Sequence, residues 1–522
     1  MRTAGRNAIF KGAFRMGEEC VSDDFTTCVR REFPALAHKT YLDSACIGVA
    51  PLRAVRAVTD LAQGMQYCHA ESGTDMHGRL NELRAAARPL AARLIGAEPS
   101  DIALLESTTH GLKVAMESLP LHAGDQVLIP DLEFIQMGVL WRQLKDRGIT
   151  VRTVPHDPGG RFGVDAVRAE LTRDVKVLAL SSVQWTNGFR ADLGALSELC
   201  RGRGVWLVVD AAQHLGALPF HVRRTPVDIL VCGGHKWLCS PFGAGFMYLD
   251  PAVRPRLRRP LAGFFAARPP ARTWGEAFLR ADLGPLRDYE FSDDAYAWET
   301  GGTGNYPGAV GLSAALSLFL ELRPQRVEAQ LRTLTDYLVE GLDRRGLPVV
   351  SPREARHRSG ILTFGTGNTD TDLSLLRALL AAGVAVSVRY TSGVGGIRVS
   401  CHVYNTLGDL DALLEAAADW QRRPRPAVRP APAPAPAGGP RSAAAQIVRQ
   451  RALIDALDDD LIGLITARDG VSRGIRRSRV EGAMSRTDLA REREIVERFH
   501  HRLGQDGTRL ALELLRMCKG DT

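Results

Sequence analysis

The 522-residue chain predicts an α/β module with a mostly parallel sheet, a proline/alanine spacer, and a small all-α unit. Three observations carry that architecture. Short apolar runs at 127–129, 177–180, 205–209 and 229–232 alternate with helical patterns such as 191–201; runs buried on both faces imply parallel strands covered by helices. Residues 424–439 read PRPAVRPAPAPAPAGG, a semi-rigid polyproline-like spacer of about 3 Å per residue. From Gln446 onward there is no proline and no strand-like run, only helical periodicity. The expected boundaries are 31–420 for the α/β module, 421–445 for the spacer and 446–522 for the helical unit, with 1–30 unassigned.

Composition narrows the function classes. Apolar residues make up 45% and charged residues 24%, with a mean hydropathy of −0.10, as in soluble globular proteins. No apolar run reaches the roughly 18 residues that cross a bilayer, and the first residues lack a secretory pattern. A cytoplasmic protein with no membrane partner is expected. Nine cysteines, scattered and without a C-x-x-C pair, predict reduced thiols and no metal knuckle. The net charge of +8 is nearly accounted for by Arg422, Arg423, Arg425, Arg429, Arg441, Arg449 and Arg451, in a stretch without aromatics. That pattern reads as a solvated linker and not a nucleic-acid arm.

Lysine is scarce, occurring only at Lys11, Lys39, Lys113, Lys145, Lys176, Lys236 and Lys519. A lysine that joins a carbonyl must come from this short set. Lys236 follows the strand at 229–232, and Asp210 ends the strand Val-Trp-Leu-Val-Val-Asp. In an open α/β sheet the carboxyl ends of strands face the ligand crevice, so both residues can share one site. A strand-end lysine and a strand-end carboxylate are what pyridoxal phosphate requires, one for its aldehyde and one for its ring nitrogen. Ser107, Thr108 and Thr109 open a helical stretch, where free N–H groups and hydroxyls can hold a phosphate. Taken singly, these features also read as a helix cap and a turn residue.

Together they resemble the class V pyridoxal-phosphate enzymes, which include cysteine desulfurases, isopenicillin N epimerase-like proteins and several aminotransferases. The motifs are Tyr-Leu-Asp-Ser-Ala at 41–45, Ser-Thr-Thr-His-Gly at 107–111, Val-Asp-Ala-Ala-Gln at 209–213, Gly-Gly-His-Lys at 233–236, Glu-Thr-Gly-Gly-Thr-Gly-Asn at 299–305 and Arg-Val-Ser-Cys-His-Val-Tyr-Asn-Thr at 398–406. The resemblance implies fold type I, a large domain with a mostly parallel sheet plus a small α/β domain. It further implies Lys236 at the aldehyde, Asp210 at the pyridine nitrogen and Gln213 at the ring hydroxyl. Ser107, Thr108, Thr109 and His235 would hold the phosphate, Thr303 would reach a partner subunit's cofactor, and Arg398 would grip the substrate carboxylate. Three departures stand out. Phe134 occupies the ring-stacking position, often histidine in desulfurases, and cannot shuttle protons. Trp185 aligns with a usual Asn, leaving Gln184 as its substitute. The 387–396 loop lacks the cysteine that carries the desulfurase persulfide. Amino transfer is therefore expected rather than desulfuration, and Cys401 reads as a buried structural thiol.

In the helical unit, Ile447, Ile454, Leu457, Leu461, Leu464, Val471 and Ile475 form a stripe at heptad-like spacing. Arg468 falls on it, and a charge on a buried seam calls for an anionic partner. Arg479 lies about 16 Å along the same face, and Arg451 about 25 Å the other way, within reach only from another protomer. Asp488, Arg491 and Glu492 share one face of a second helix. From about residue 446 the chain resembles the all-helical chorismate mutases, which implies Arg451, Arg468, Arg479, Asp488, Arg491 and Glu492 as the site for chorismate. Cys518 and Thr522 depart from that family's Ser and Gln. The combined expectation is a homodimeric bifunctional enzyme: an aminotransferase for a chorismate-derived 2-oxo acid joined to a chorismate mutase. The alternative is a C–S lyase, desulfurase or epimerase with a ligand-sensing or dimerising helical unit, or isochorismate pyruvate lyase activity.

Overall fold

The computed structural model describes residues 25–67 and 70–422, and in the C-terminal part 458, 461–463, 465–466, 468–473 and 489–519. The strands are β1 (Thr40–Tyr41), β2 (Ile102–Leu105), β3 (Gln126–Pro130), β4 (Thr150–Val154), β5 (Val175–Ser181), β6 (Trp206–Asp210), β7 (Ile229–Gly233) and β8 (Gly245–Leu249), followed by β9 (Ile361–Phe364), β10 (Val384–Ala385), β11 (Ser387–Thr391) and β12 (Val394–Ser400). Seven of them form the main sheet in the order β2-β8-β7-β6-β5-β3-β4. The four expected apolar runs are β3, β5, β6 and β7, and they pair in parallel as predicted. Only β8 runs against its neighbours, β7 on one side and β2 on the other.

Alternation along each strand builds two apolar layers. Leu128, Leu178, Leu180, Val209 and Leu230 enter one layer; Val127, Val177, Ala179, Val208, Ile229 and Val231 enter the other. Each such buried side chain contributes about 1.5–3 kcal/mol, so both faces need covering helices. The helix expected at 191–201 is Leu193–Arg203, capped by Asp192, whose side chain accepts the Ala195 N–H at 3.1 Å.

A smaller antiparallel sheet has the order β11-β12-β9, and β10 pairs with the N-terminal β1. The chain entry is thus tied to the small domain, which places residues 43–48 beside the strand ends of the large sheet. The segment 387–396, expected as a loop, is instead the β11–β12 hairpin. Ser392 (φ +48) and Gly393 (φ +80) supply the two left-handed residues of its turn, the geometry that matches strand twist.

The α/β module closes on the helix Leu407–Arg422; the rest of the spacer lies outside the described residues. Residues 425–522 form a separate unit. Its helix Leu489–Lys519 is interrupted at Gly504 (φ 64, ψ −144), giving two helical segments. Among the described residues no helix is long and apolar enough to cross a membrane. Cys46, Cys200, Cys232, Cys239 and Cys401 are free thiols, whereas Cys28 is disulfide-bonded. That corrects the expectation of reduced thiols throughout, because spacing along the chain does not fix which sulfurs meet.

Candidate active site

Neighbouring parallel strands bring the key pair together. Asp210 is in register with Val231 on β7, and Lys236 stands three residues beyond the end of that strand. Burial lowers the Lys236 amine from its usual range and raises the Asp210 carboxyl, and each opposes the other's shift by attraction. Asp210 also accepts the Ala212 N–H at 2.8 Å. The site therefore holds a desolvated amine next to a desolvated carboxylate, an arrangement concentrated at functional sites.

At the β7 end, the Gly233 N–H donates to the Thr108 hydroxyl at 3.0 Å. A Cβ on Gly233 would come within 2.6 Å of that hydroxyl, so glycine keeps this cradle open. Thr108 opens the helix Thr108–Ser118, capped by Ser107, whose hydroxyl accepts the His110 N–H at 3.0 Å. Thr109 occupies the same first turn. His235 stacks on Phe242 at 5.3 Å between ring centroids, and burial pushes its imidazole down to about 4. A neutral imidazole, a hydroxyl and a helix N-terminus converge as a phosphate cradle.

Phe134 begins the helix Ile135–Arg142, with Lys236 Nζ 5.9 Å from its ring centroid and Trp185 edge-on at 5.2 Å. Directly before it, Glu133 is buried and receives the Ser181 N–H (2.6 Å), the Ser181 hydroxyl (2.5 Å) and the Gln184 amide (2.9 Å). Burial pushes its carboxyl up to about 7 despite these donors. The sequence reading missed Glu133, although a Glu at a strand end beside a ring-stacking position was the available signal. Gln184 is wholly buried, and its Oε1 lacks a partner among the described residues, as does the Trp185 indole N–H. Gln213 donates an amide N–H to Ala45 O at 3.0 Å and accepts from the Trp237 indole at 2.7 Å.

Arg398, on β12, is 2% exposed. It donates to Trp185 O (3.0 Å) and forms an ion pair with Asp43 (3.0 Å), while its Nε lacks a partner among the described residues. Opposite, on β11, Arg389 donates to the Cys46 sulfur at 3.8 Å. Thr303 is exposed. Cys401 is buried, and burial pushes its thiol up to about 12, in line with a structural thiol.

The expected second site is not assembled by the described residues. Arg451, Arg479 and Asp488 lie outside them, as does the side chain of Arg491. Arg468 donates to the Leu514 carbonyl at 3.2 Å, a backbone contact between helical segments. Glu492 is half-buried. Stripe residues Leu461 and Val471 are 54% and 65% exposed.

A family model described as Aminotransferase class-V matches residues 40–413. A probable cysteine desulfurase of Methanothermobacter thermautotrophicus is 24% identical over 414 residues, covering 75% of this chain and 96% of its own. Isopenicillin N epimerase of Streptomyces clavuligerus is 29% identical over 339 residues, covering 63% of this chain and 82% of its own. Among solved structures, the cysteine desulfurase of Thermococcus onnurineus NA1 aligns with a TM-score of 0.67 at 22% identity, covering 76% of this chain and 98% of its own. The cystine C–S lyase C-DES aligns with a TM-score of 0.66 at 22% identity, covering 74% of this chain and 99% of its own. These structural likenesses show fold type I. The family match ends at residue 413, before the helical unit, and gives no support to a fused chorismate mutase. Pyridoxal phosphate is the cofactor, and the donor set fits it: a desolvated amine, a carboxylate for the ring nitrogen, a stacking ring and an open phosphate cradle.

Proposed function

The chain belongs to the class-V aminotransferase family, and from that premise we propose that it removes the Cα proton of an amino acid and expels sulfur from Cβ, as a C–S lyase. The observation that carries the reading is the β11–β12 hairpin, which presents no thiol. Without a sulfur acceptor there, cleaved sulfur leaves the site instead of being stored. Bound pyridoxal phosphate supplies the electron sink for the pair left on Cα. Lys236, whose amine burial lowers from its usual range, takes and returns the Cα proton. Asp210 holds the proton at the pyridine nitrogen. Phe134 and Trp185 exclude water over the ring, Thr108 and His235 bind phosphate, and Arg398 orients the substrate carboxylate.

Amino transfer to a chorismate-derived acceptor gives way here to its alternative, because most of the similar proteins are named for desulfuration, C–S cleavage or epimerisation. Epimerisation is the second reading, favoured by the 29% identity to isopenicillin N epimerase. It uses the same Lys236 step without loss from Cβ. The helical unit is then a dimerising or ligand-sensing appendage, and Thr303 of a second copy would complete the cofactor site. The test is Cα hydrogen exchange in deuterated water across a panel of amino acids, followed by NMR. Exchange with cysteine accompanied by sulfide, or with cystine accompanied by cysteine persulfide, supports the lyase; exchange with inversion and no sulfur release supports the epimerase; no exchange with any amino acid sinks both.

A further inference from the structure

Expelling sulfur moves a proton off Cα and leaves charge on the departing sulfur, which a group other than Lys236 can neutralise by general-acid catalysis. Phe134, lacking a titratable group, is not that acid. Glu133 is enclosed by Ser181 and Gln184, and Asp210 is committed beside Lys236 and the Ala212 N–H. Cys232 is wholly buried within β7. Tyr41 donates its hydroxyl to Ile47 O at 2.7 Å, and burial and Asp43 push its phenol up to about 12. His235 faces the phosphate cradle.

Cys46 remains, and the structure fixes where it stands. Its turn is bolted on three sides. Gly48 N–H donates to His235 O at 2.8 Å, Ala45 O accepts from Gln213 at 3.0 Å, and Arg398 pairs with Asp43 at 3.0 Å. A Cβ on Gly48 would overlap Lys236 O, at 2.0 Å, so the turn packs directly on the Lys236 segment. The thiol is half-buried and free and receives the Arg389 guanidinium at 3.8 Å. Arg398 Nε, in a side chain 2% exposed and without a partner among the described residues, marks the same corner as built to take a polar group of the substrate.

We propose that Cys46 is a second catalytic residue, the acid that protonates the leaving sulfur. The inference rests on the lyase reading above. The Cα proton goes to Lys236; the Cβ–S bond breaks with its electron pair on sulfur; that sulfur takes the proton of Cys46; and the thiolate, held by Arg389, regains a proton from water. The hairpin of this chain carries no thiol; the thiol of the 43–48 turn, beside Arg389 of that hairpin, supplies a proton instead.

Iodoacetamide mapping of the cofactor-free chain is expected to label Cys46 and to spare the buried Cys200, Cys232, Cys239 and Cys401. In the holoenzyme, Cys46→Ala should retain Cα exchange within a few-fold of the unsubstituted protein while sulfide release falls about a hundredfold. Cys46→Ser, with an unchanged melting temperature, should show the same split. Unchanged sulfide release in Cys46→Ala overturns the proposal, as does an unlabelled Cys46, and so does a persulfide on Cys46 with alanine as co-product. Absence of Cα exchange in the unsubstituted holoenzyme overturns the lyase reading first and this proposal with it.

Discussion

The two walls of the active site are built differently. The sheet wall comes from the ends of β6 and β7, parallel neighbours whose buried side chains leave Asp210 and Lys236 little freedom. The hairpin wall comes from β11–β12, whose β12 end is buried while its turn is held by polar contacts: Ser392 hydroxyl to Asp131 O at 2.7 Å, and Thr186 to Thr391 at 3.0 Å. The difference teaches which part fixes what. On the lyase proposal, strand ends would set the cofactor chemistry, and the residues presented from the hairpin and the Cys46 turn would set the fate of Cβ.

The sharpest way to break that division is on the sheet wall. Lys236→Ala should lower turnover by at least about 10⁴-fold, since it removes both the carbonyl-binding amine and the proton carrier, and the visible absorption of the bound cofactor should shift with it. Asp210→Asn should follow with a loss of about 10²–10³-fold in kcat, with the phosphate contacts, and hence cofactor retention, largely preserved.

Glu133 sharpens the comparison through stability. Its carboxyl, raised from 4.5 to about 7, binds a proton in the folded protein that the unfolded chain has already lost. Stability from this group is therefore complete below about pH 4.5 and falls as pH rises through about 7. The fall is on the order of 3 kcal/mol. Glu133→Gln, which cannot ionise, should gain in melting temperature relative to the unsubstituted protein between pH 5 and 8, measured by calorimetry. The smallest effect belongs to the hairpin latch: Ser392→Ala removes one hydrogen bond, about 1 kcal/mol, and should change turnover only a few-fold while leaving the cofactor spectrum intact.

The sheet wall was legible in the sequence, whereas on the hairpin wall Arg398 was named and the hairpin itself was not foreseen. β3, β5, β6 and β7 are buried on both faces and read as continuous apolar runs, which exposes Asp210 and Lys236 as strand-end residues. β11 and β12 mix Arg389, Tyr390 and glycines with apolar positions, so 387–396 read as a loop. Cys46 and Arg389 meet across 343 residues, and Glu133 finds Ser181 and Gln184 from another strand end; no local pattern announces such partners. In the helical unit, periodicity foretold helix, and the described residues bear it out, but Gly504 breaks the long helix Leu489–Lys519. Charge spacing on a helix face cannot distinguish an anion site from a packing contact, as Arg468 and the Leu514 carbonyl illustrate.

The central claim, that sulfur is expelled because no hairpin thiol accepts it, is tested most directly by the products formed from cysteine or cystine with the holoenzyme. Sulfur release accompanied by pyruvate and ammonia in equal amount, with no protein-bound persulfide, is the predicted result. Alanine in place of pyruvate, with sulfur held on the protein, would contradict it.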